Sequence, residues 1–353
     1  MPLHRAELPA GVARLLREGT VIPAHPLALD EERRLDTVSQ RALTRYYVDA
    51  GAGGLAVGVH ATQFAIREAG LYRPVLELAA RTAQEWTGRP LAMVAGLAGP
   101  TSQAVGEART AMDLGYHAGL LSLVALRGAD EDALVAHCEA VAAEIPLVGF
   151  YLQEAVGGQR LSRGFWRRFA AIDNVVAIKI APFDRYRTLD VLSGVAEAGA
   201  GDRITLYTGN DDHIVLDLLT PFRVPTATGP VEMRIRGGLL GHWSVWTRSA
   251  VRLFERLRKA AEAGTVDREL LALDSAVTAC NAALFDAANG FRGCIPGCHE
   301  VLRRQGLMRT ALCLDPGEVM SPGQAEAIER VRRAWPELVD DDFVAENLER
   351  WRG

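Results

Sequence analysis

Short apolar runs alternate with longer segments of helical periodicity between residue 20 and about residue 245. The runs are rich in Val, Ile, Leu and Ala, whereas the segments between them repeat apolar residues every three or four positions. Strands are predicted at 20–24, 54–59, 91–96, 118–123, 146–151, 175–180, 204–209 and 237–243. Helices are predicted between them at 32–50, 68–86, 101–115, 130–143, 162–171, 186–198 and 211–219. This alternation indicates repeated βα units.

Eight strands with intervening helices favour a closed (β/α)₈ TIM barrel over an open doubly wound sheet. After residue 245 the alternation stops and only helical patterns remain. We therefore interpret residues 1–245 as a barrel that carries the active site, and residues 246–353 as an all-helical tail packed on the barrel. The proline-rich segment 220–236 is too long for a routine connection, and it is predicted as an inserted loop before the eighth strand.

The composition narrows the class of protein. The 353 residues are 49% hydrophobic, which suffices for a sizeable core, and the net charge of −5 is spread without a basic stripe. We therefore expect neither nucleic acid nor a membrane as a partner. The five cysteines are scattered in a long chain that shows no secretory leader, so we expect reduced thiols in a cytoplasmic protein.

One lysine stands out in the predicted sixth strand. The chain has 37 arginines and only two lysines, Lys179 and Lys259. Lys259 belongs to an amphipathic helix and is interpreted as a solvated charge, whereas Lys179 lies within the apolar run NVVAIKIAPF. A buried ammonium is costly unless it is paired or neutralised, so arginine would not serve at this position. A structural lysine at a strand end is the alternative.

The active site of a (β/α)₈ barrel lies at the carboxyl ends of its strands. The polar residues at these ends are His25, His60, Ser122, Tyr151, Lys179, Asn210, Asp211 and His242. Burial lowers the pKa of a lysine and supplies a neutral amine that can attack a carbonyl, and a phenol nearby can carry the proton. Lys179 and Tyr151 are therefore predicted as the catalytic residues. A packing residue with a bonded hydroxyl is the alternative for Tyr151.

Several segments resemble the dihydrodipicolinate synthase / N-acetylneuraminate lyase family of class I aldolases and dehydratases. They are VIPAHPLALDEERRLD, GAGGLAVGVHATQF, VAIKIAPF, YTGNDD and AALFDAANGFRGCIPGCHEVLRRQG, and they span nearly the whole chain. Tyr151 precedes Lys179 by 28 residues, which matches the spacing of the tyrosine and lysine in this family. The resemblance implies that Lys179 forms the Schiff base, that Tyr151 is the proton shuttle, and that the subunits form homodimers or homotetramers.

The sequence also departs from the family. Val59 and His60 occupy the places of two threonines in the carboxylate-binding loop, so only the main-chain N–H groups of residues 59–61 are left to bind a carboxylate. The tyrosine that the family lends to a neighbouring subunit has no counterpart. An ungapped alignment from Pro146 places Phe150, rather than Tyr151, in the position of the catalytic tyrosine. These departures indicate a divergent member that is not the lysine-biosynthetic synthase.

The other candidate site residues can also be explained by structural roles. Val59, His60, Ala61, His25, Asn210 and His242 are predicted as substrate-binding residues. His60, with an ordinary pKa of about 6.5, is the nearest helper for proton transfer, although a histidine beside a strand is more often structural. Asp211 and Asp212 are most simply N-caps of the next helix. Cys294, Cys298 and His299 have a spacing compatible with a metal, but no fourth ligand is apparent.

These residues predict a Schiff-base lyase that acts on a 2-oxo acid such as pyruvate or a derivative. Neither a cofactor nor a metal is expected, because the iminium itself serves as the electron sink. The sequence leaves open aldol cleavage, aldol addition and loss of water. A hydro-lyase of a 2-oxo-3-deoxy sugar acid is one alternative. A catalytically silent barrel that binds a small acid is the alternative from another class.

Overall fold

Eight parallel strands surround a common interior in the computed structural model, which describes residues 2–353. The eight barrel strands are β1 Val21–Pro23, β2 Gly54–Val57, β3 Ala92–Leu97, β4 Ala118–Leu121, β5 Leu147–Leu152, β6 Val175–Ala181, β7 Thr205–Thr208 and β10 Ile235–Leu240. Two further strands, β8 Phe222–Thr226 and β9 Gly229–Met233, form a separate sheet. The barrel order is β1-β10-β7-β6-β5-β4-β3-β2, and a parallel bridge between Ala24 and Ala56 joins the first and last of these strands. The predicted (β/α)₈ barrel and its eight strands are confirmed.

Helices follow the barrel strands and then continue alone after β10. They are α1 Ala10–Glu18, α2 Thr37–Ala50, α3 Tyr72–Trp86, α4 Thr101–Asp113, α5 Glu131–Ala142, α6 Arg163–Ala171, α7 Arg185–Glu197, α8 Ile214–Leu219, α9 Thr247–Ala263, α10 Arg268–Leu284, α11 Cys294–Arg304, α12 Gln324–Ala334 and α13 Asp341–Arg352. The predicted carboxyl-terminal helical extension is thus observed as α9 to α13. Within residues 2–353, none of these helices is both long and apolar enough to cross a membrane.

Two parts of the chain differ from the sequence prediction. The segment 220–236 is not an irregular loop, because β8 and β9 form an antiparallel hairpin within it. Helix α1, which the alternation did not predict, lies against the amino-terminal end of the barrel. Its Val12 and Leu16 side chains belong to the same apolar cluster as the interior of the barrel. The Tyr207 hydroxyl of β7 donates a hydrogen bond to the Leu16 carbonyl at 3.0 Å, so α1 seals this end.

The pairing of β5 with β6 decides which side chains enter the barrel. Phe150 is in register with Lys179, and Tyr151 is in register with Ile180. Because successive side chains of a strand point to opposite faces, Phe150 and Lys179 face the interior while Tyr151 and Ile180 face the helices. The two apolar clusters follow this division, since Phe150 belongs to the inner cluster and Tyr151 to the outer one.

Candidate active site

Lys179 lies in a cavity at the carboxyl end of the barrel. Its side chain is buried, and the Nζ atom is 4.4 Å from the centroid of the Phe150 ring. Among residues 2–353, no acceptor forms a hydrogen bond or an ion pair within 4.0 Å with this Nζ atom. Gly209 provides the space beside it, since a Cβ atom there would come within 2.7 Å of Lys179 Cε. The amine is therefore held without a hydrogen-bonded partner in the cavity.

Burial and two neighbouring acidic groups act in opposite directions on the pKa of Lys179. Burial lowers the pKa of the amine, and the attraction of Asp211 and, to a smaller extent, Cys294 opposes this effect. The Phe150 ring also favours the charged form through a cation–π contact. Burial dominates, so the neutral amine is more abundant near neutral pH than for an ordinary lysine. A neutral amine is the form that attacks a carbonyl carbon.

A tight turn after β2 forms one wall of the cavity. Val59, His60 and Ala61 all line the cavity, and residues His60–Thr62 form a single 3₁₀ turn. The Thr62 hydroxyl shapes this turn because it accepts a hydrogen bond from the Gly58 N–H at 2.9 Å and donates one to the His25 carbonyl at 2.7 Å. The structure thus brings three of the predicted substrate-binding residues together with Lys179.

The pKa of His60 is lower than the value expected from the sequence. Burial lowers the pKa of its imidazole to about 4, and the repulsion of Lys179 contributes to the decrease. The expectation of a pKa near 6.5, suited to proton transfer at neutrality, is therefore corrected. At neutral pH His60 is an uncharged imidazole, which can form hydrogen bonds with a ligand but holds no extra proton to donate.

Asp211 is a cavity residue that the sequence analysis assigned to a helix cap. Helix α8 begins three residues later and has His213 as its N-cap, so Asp211 remains in the turn after β7 and lines the cavity. Its Oδ1 atom is buried without a hydrogen-bond partner in the part of the chain from 2 to 353. The Asn281 side chain of α10 fixes this turn by donating a hydrogen bond to the Asp211 carbonyl at 2.5 Å.

The pKa of Asp211 is shifted in the direction that suits an acid. Burial raises it, and the attraction of Lys179 opposes the increase, while the nearby charge of Asp212 raises it further. A carboxyl group with a raised pKa retains its proton closer to neutrality than an ordinary aspartate does. Lys179 and Asp211 therefore form a buried pair in which one proton can reside on either group.

The carboxyl-terminal helices complete the cavity. Phe285, Cys294, Ile295, Cys298 and His299 line it, and sequence reasoning identified none of them as substrate-binding residues. Burial raises the pKa of the Cys294 thiol well above its ordinary value, so this thiol is protonated near neutrality. Among residues 2–353, no group of three or more His, Cys, Asp or Glu side chains is arranged to hold a metal ion.

Three predicted substrate-binding residues lie outside the cavity lining. The His25 Nε2 atom is 2.8 Å from the Thr44 hydroxyl of α2, and the ring is completely buried between barrel and helix. The Asn210 side chain supports neighbouring loops, because its Oδ1 accepts a hydrogen bond from the Phe183 N–H at 3.0 Å. His242 is buried next to Trp246, with ring centroids 6.4 Å apart. None of the three residues lines the cavity, so the structure does not bring them together with Lys179, and their role in substrate binding stays a prediction.

Tyr151 is the most consequential correction. Its ring packs against Trp166 of α6 at a centroid distance of 5.4 Å, and its hydroxyl is 3.2 Å from both the N and the O of Leu161. The predicted proton shuttle therefore lies in the helix layer, on the opposite face of β5 from Lys179. Phe150 occupies the inward position, as the ungapped alignment suggested. The cavity lining in residues 2–353 contains no tyrosine, serine or threonine.

Replacement of Tyr151 by Phe tests this correction. We expect Tyr151→Phe to form an imine at the parent rate, because the hydroxyl has no access to the cavity. The free energy of unfolding should fall by about 1–2 kcal/mol, since buried polar atoms of Leu161 lose their partner. Rapid-quench trapping and denaturant unfolding measure the two effects. A hundredfold loss of imine formation in a folded variant would restore Tyr151 to the site.

The barrel fold of this chain has counterparts among solved structures. No protein-family profile and no curated protein matches the sequence. Solved structures with the same fold include a dihydrodipicolinate synthase from Oceanobacillus iheyensis, with a TM-score of 0.71 and 15% identity, over 92% of this chain and 99% of the other. CdNal from Clostridium difficile, in complex with mannosamine, gives a TM-score of 0.71 and 14% identity. This match covers 90% of this chain and 99% of CdNal.

A third structure of this fold is a chloride-inhibited dihydrodipicolinate synthase from Acinetobacter baumannii complexed with pyruvate. It gives a TM-score of 0.69 and 19% identity, and the match covers 91% of this chain and 99% of the other. The resemblance predicted from sequence is thereby confirmed at the level of the fold. At these identities the likeness establishes the architecture, and the chemistry has to be argued from the residues of this chain.

Proposed function

We propose that this protein is a Schiff-base-forming lyase that acts on a 2-oxo acid such as pyruvate or a derivative, and that it is not the lysine-biosynthetic synthase. The observation that carries the proposal is Lys179, a buried amine with no hydrogen-bonded partner among residues 2–353, at the carboxyl end of the barrel. Its neutral form adds to the C2 carbonyl carbon. The former carbonyl oxygen takes up protons and leaves as water, and a C=N bond to Nζ remains.

The turn after β2 suits the carboxylate of such a substrate. The N–H groups of His60 and Ala61 begin a 3₁₀ turn, where no preceding carbonyl of the turn can accept them. We propose that these groups, with Val59 as the wall behind them, donate hydrogen bonds to the carboxylate. The neutral imidazole of His60 supplies a further donor on the same side. The carboxylate would then place C2 toward Lys179.

Asp211 is proposed as the group that moves protons. Loss of water from the carbinolamine requires a proton on the departing oxygen, and the cavity offers no hydroxyl side chain for this within residues 2–353. The Asp211 carboxyl lines the same cavity, and its raised pKa favours the protonated form. The proton that Lys179 gives up to become a nucleophile is then available from Asp211.

The iminium withdraws electrons from the neighbouring carbon. This effect supports aldol cleavage, aldol addition or elimination of water from the same intermediate. A lyase that releases pyruvate differs from a hydro-lyase in its products, so product analysis separates the two. Assembly into a homodimer or homotetramer stays a prediction, and one solved structure of the same fold is described as a monomeric dihydrodipicolinate synthase variant.

A catalytically silent barrel that binds a small acid is the second candidate. The observation in its favour is the phenylalanine ring at residue 150, which stands beside Lys179 where a hydroxyl would assist imine formation. The silent barrel binds a 2-oxo acid through the turn at 59–61 without covalent attachment. Chemical trapping distinguishes the two functions, because only an enzyme of the proposed kind forms a reducible imine.

Borohydride trapping is the experiment that tests the proposal. With a 2-oxo acid present, reduction should add the mass of the acid, less the oxygen lost as water, to a peptide that contains Lys179. Lys259 is the internal control, since it lies exposed on α9 and should remain unmodified. An adduct confined to Lys259, or no adduct with any 2-oxo acid tested, contradicts the proposal and favours the silent barrel.

A further inference from the structure

The cavity has an apolar lining beyond its reactive groups. Phenylalanines reach it from three separate elements: Phe150 from β5, Phe183 from the loop after β6, and Phe285 from the segment after α10. Further apolar walls come from Leu152, Val156, Ala181 and Ile295. The chain is rich in arginine, yet no arginine lines this cavity within residues 2–353. Gln153 is the only amide side chain in the lining of the described residues.

Phe183 is held in place at a cost in backbone energy. Its φ angle is +52°, in the left-handed region that a bulky side chain rarely adopts. The Asn210 side chain fixes this conformation through the Phe183 N–H. The Phe183 ring packs edge-on against Phe291, with centroids 5.7 Å apart, and Phe291 has a φ angle of +66°. Such outliers persist where the surroundings enforce them, and they cluster at ligand-binding positions.

This lining selects against polar substrates. A sugar acid has several hydroxyl groups, and each would lose its water on entering the cavity. Besides Lys179 and Asp211, the lining in residues 2–353 offers these hydroxyl groups only Gln153, the imidazoles of His60 and His299, and the weakly bonding thiols of Cys294 and Cys298. A second carboxylate would lack an arginine partner and would face Asp211. An apolar group instead gains the contact of three aromatic rings. The walls therefore distinguish substrates by the part of the molecule beyond the 2-oxo acid.

We infer that the substrate is a 2-oxo acid whose chain carries an uncharged apolar group of about aromatic size, placed among Phe150, Phe183 and Phe285. The inference rests on the proposed Schiff base at Lys179, which fixes the 2-oxo acid end, and it adds the class of the other end. It disfavours the hydro-lyase of a 2-oxo-3-deoxy sugar acid. For a lyase, the second product is then an apolar aldehyde.

Competitive trapping with three probes tests the inference. Pyruvate, benzylpyruvate and a 2-oxo-3-deoxy sugar acid are each titrated in the presence of borohydride, and the adduct on Lys179 is quantified by mass spectrometry. Benzylpyruvate should reach half-maximal trapping at a concentration about tenfold or more below that of pyruvate, because its ring is buried by the cavity. The sugar acid should reach half-maximal trapping only at a higher concentration than pyruvate.

Each outcome has a separate meaning. If the sugar acid or pyruvate is trapped at a concentration equal to or below that of benzylpyruvate, the inference is overturned while the proposed function stands. If no 2-oxo acid yields an adduct on Lys179 of the folded protein, the proposed function itself fails. Formation of the adduct is thus the test of the function, and the order of the three probes is the test of the inference.

Phe183→Gly provides a variant that should keep the fold. Glycine adopts a positive φ without strain, so the loop conformation is preserved while the ring is removed. The preference for benzylpyruvate over pyruvate should fall by about tenfold. Tyr186→Ala is the matched control, because Tyr186 lies nearby on α7, is 84% exposed and should leave the preference unchanged. An unaltered preference in Phe183→Gly would remove Phe183 from the specificity site and overturn the inference.

Discussion

Replacing Lys179 with Met should abolish the trapped adduct and lower turnover on the order of 10⁴-fold or more, because no other amine lines the cavity in residues 2–353. Methionine has nearly the length of lysine and an apolar, flexible side chain, so it should fill the same space beside Phe150. Mass spectrometry after borohydride reduction and steady-state assays with the best 2-oxo acid measure the two losses.

The same variant should be more stable than the parent protein at neutral pH. Burial lowers the pKa of Lys179, so the folded state disfavours the ammonium relative to the unfolded chain. This destabilisation is present in full below the folded pKa and disappears as the pH rises toward the unfolded value of about 10.4. The gain in the free energy of unfolding should therefore shrink between neutral and strongly alkaline pH, as denaturant titrations at several pH values would reveal.

Lys259→Met is the matched control for both measurements. Lys259 is exposed on α9, so its replacement should alter neither the adduct nor the pH dependence of stability. If Lys179→Met retained catalytic turnover, or if Lys259→Met lost it, the assignment of the Schiff-base lysine would be wrong. A loss of turnover with unchanged stability at every pH would instead show that Lys179 is less buried than the structure indicates.

The barrel and its lysine were predictable because both depend on local patterns. Strands of a closed parallel barrel are covered on both faces, so they appear as continuous apolar runs at regular spacing along the chain. Lys179 interrupts one such run, and a single ionisable group in an apolar strand requires an explanation whatever the fold. His60 followed from its position directly after a strand, whereas the carboxylate-binding role of residues 59–61 came from the resemblance to the family.

The identity of the inward residue on β5 was not predictable in the same way. A strand that is apolar on both faces has no alternation to show which side chains face inward. Phe150 and Tyr151 are consecutive, so an error of one residue in the alignment assigns the inward position to a side chain that faces the helices. The register between β5 and β6 shifts between Leu147 and Val148, so a residue spacing measured from Lys179 on β6 does not identify its neighbour on β5. The spacing of 28 residues therefore selected the wrong aromatic ring.

Other residues were missed because their positions depend on contacts distant in sequence. Asp211 follows a strand and precedes a helix, which is also the usual place of an N-cap. Only the start of α8 at Ile214 and the hydrogen bond from Asn281 leave it in the cavity. Cys294, Ile295 and His299 reach the cavity because α11 packs over the barrel opening, and helical periodicity carries no information about that arrangement.

Asp211→Asn should slow imine formation on the order of 10² to 10⁴-fold if Asp211 is the acid–base group. Asparagine is nearly isosteric and preserves the main-chain hydrogen bond from Asn281, so the turn should keep its shape. The amide, however, cannot deliver a proton to the departing oxygen. Stopped-flow or rapid-quench trapping at saturating 2-oxo acid measures the rate of the step directly.

The pH dependence distinguishes a proton-transfer role from a packing role. The parent should give a bell-shaped profile, because the reactive pair requires a neutral amine at Lys179 and a proton on Asp211. In Asp211→Asn the alkaline decline should disappear, since the group that loses its proton there is absent. The rising limb should move to lower pH, because the carboxylate raises the pKa of Lys179 and its removal lowers that pKa further.

Asp212→Asn is the matched control, because Asp212 is the exposed neighbour of Asp211 and does not line the cavity. Its maximal rate should stay within about twofold of the parent, because Asp212 does not line the cavity. Its alkaline limb should move slightly to lower pH, since the charge of Asp212 raises the pKa of Asp211 and is removed in this variant. Two effects are expected together in Asp211→Asn: a larger fraction of Lys179 is neutral, and imine formation is nevertheless slower. Loss of packing alone does not predict this combination. A slower reaction with an unshifted, bell-shaped profile would show that Asp211 acts only through packing, and that the proton comes from another group.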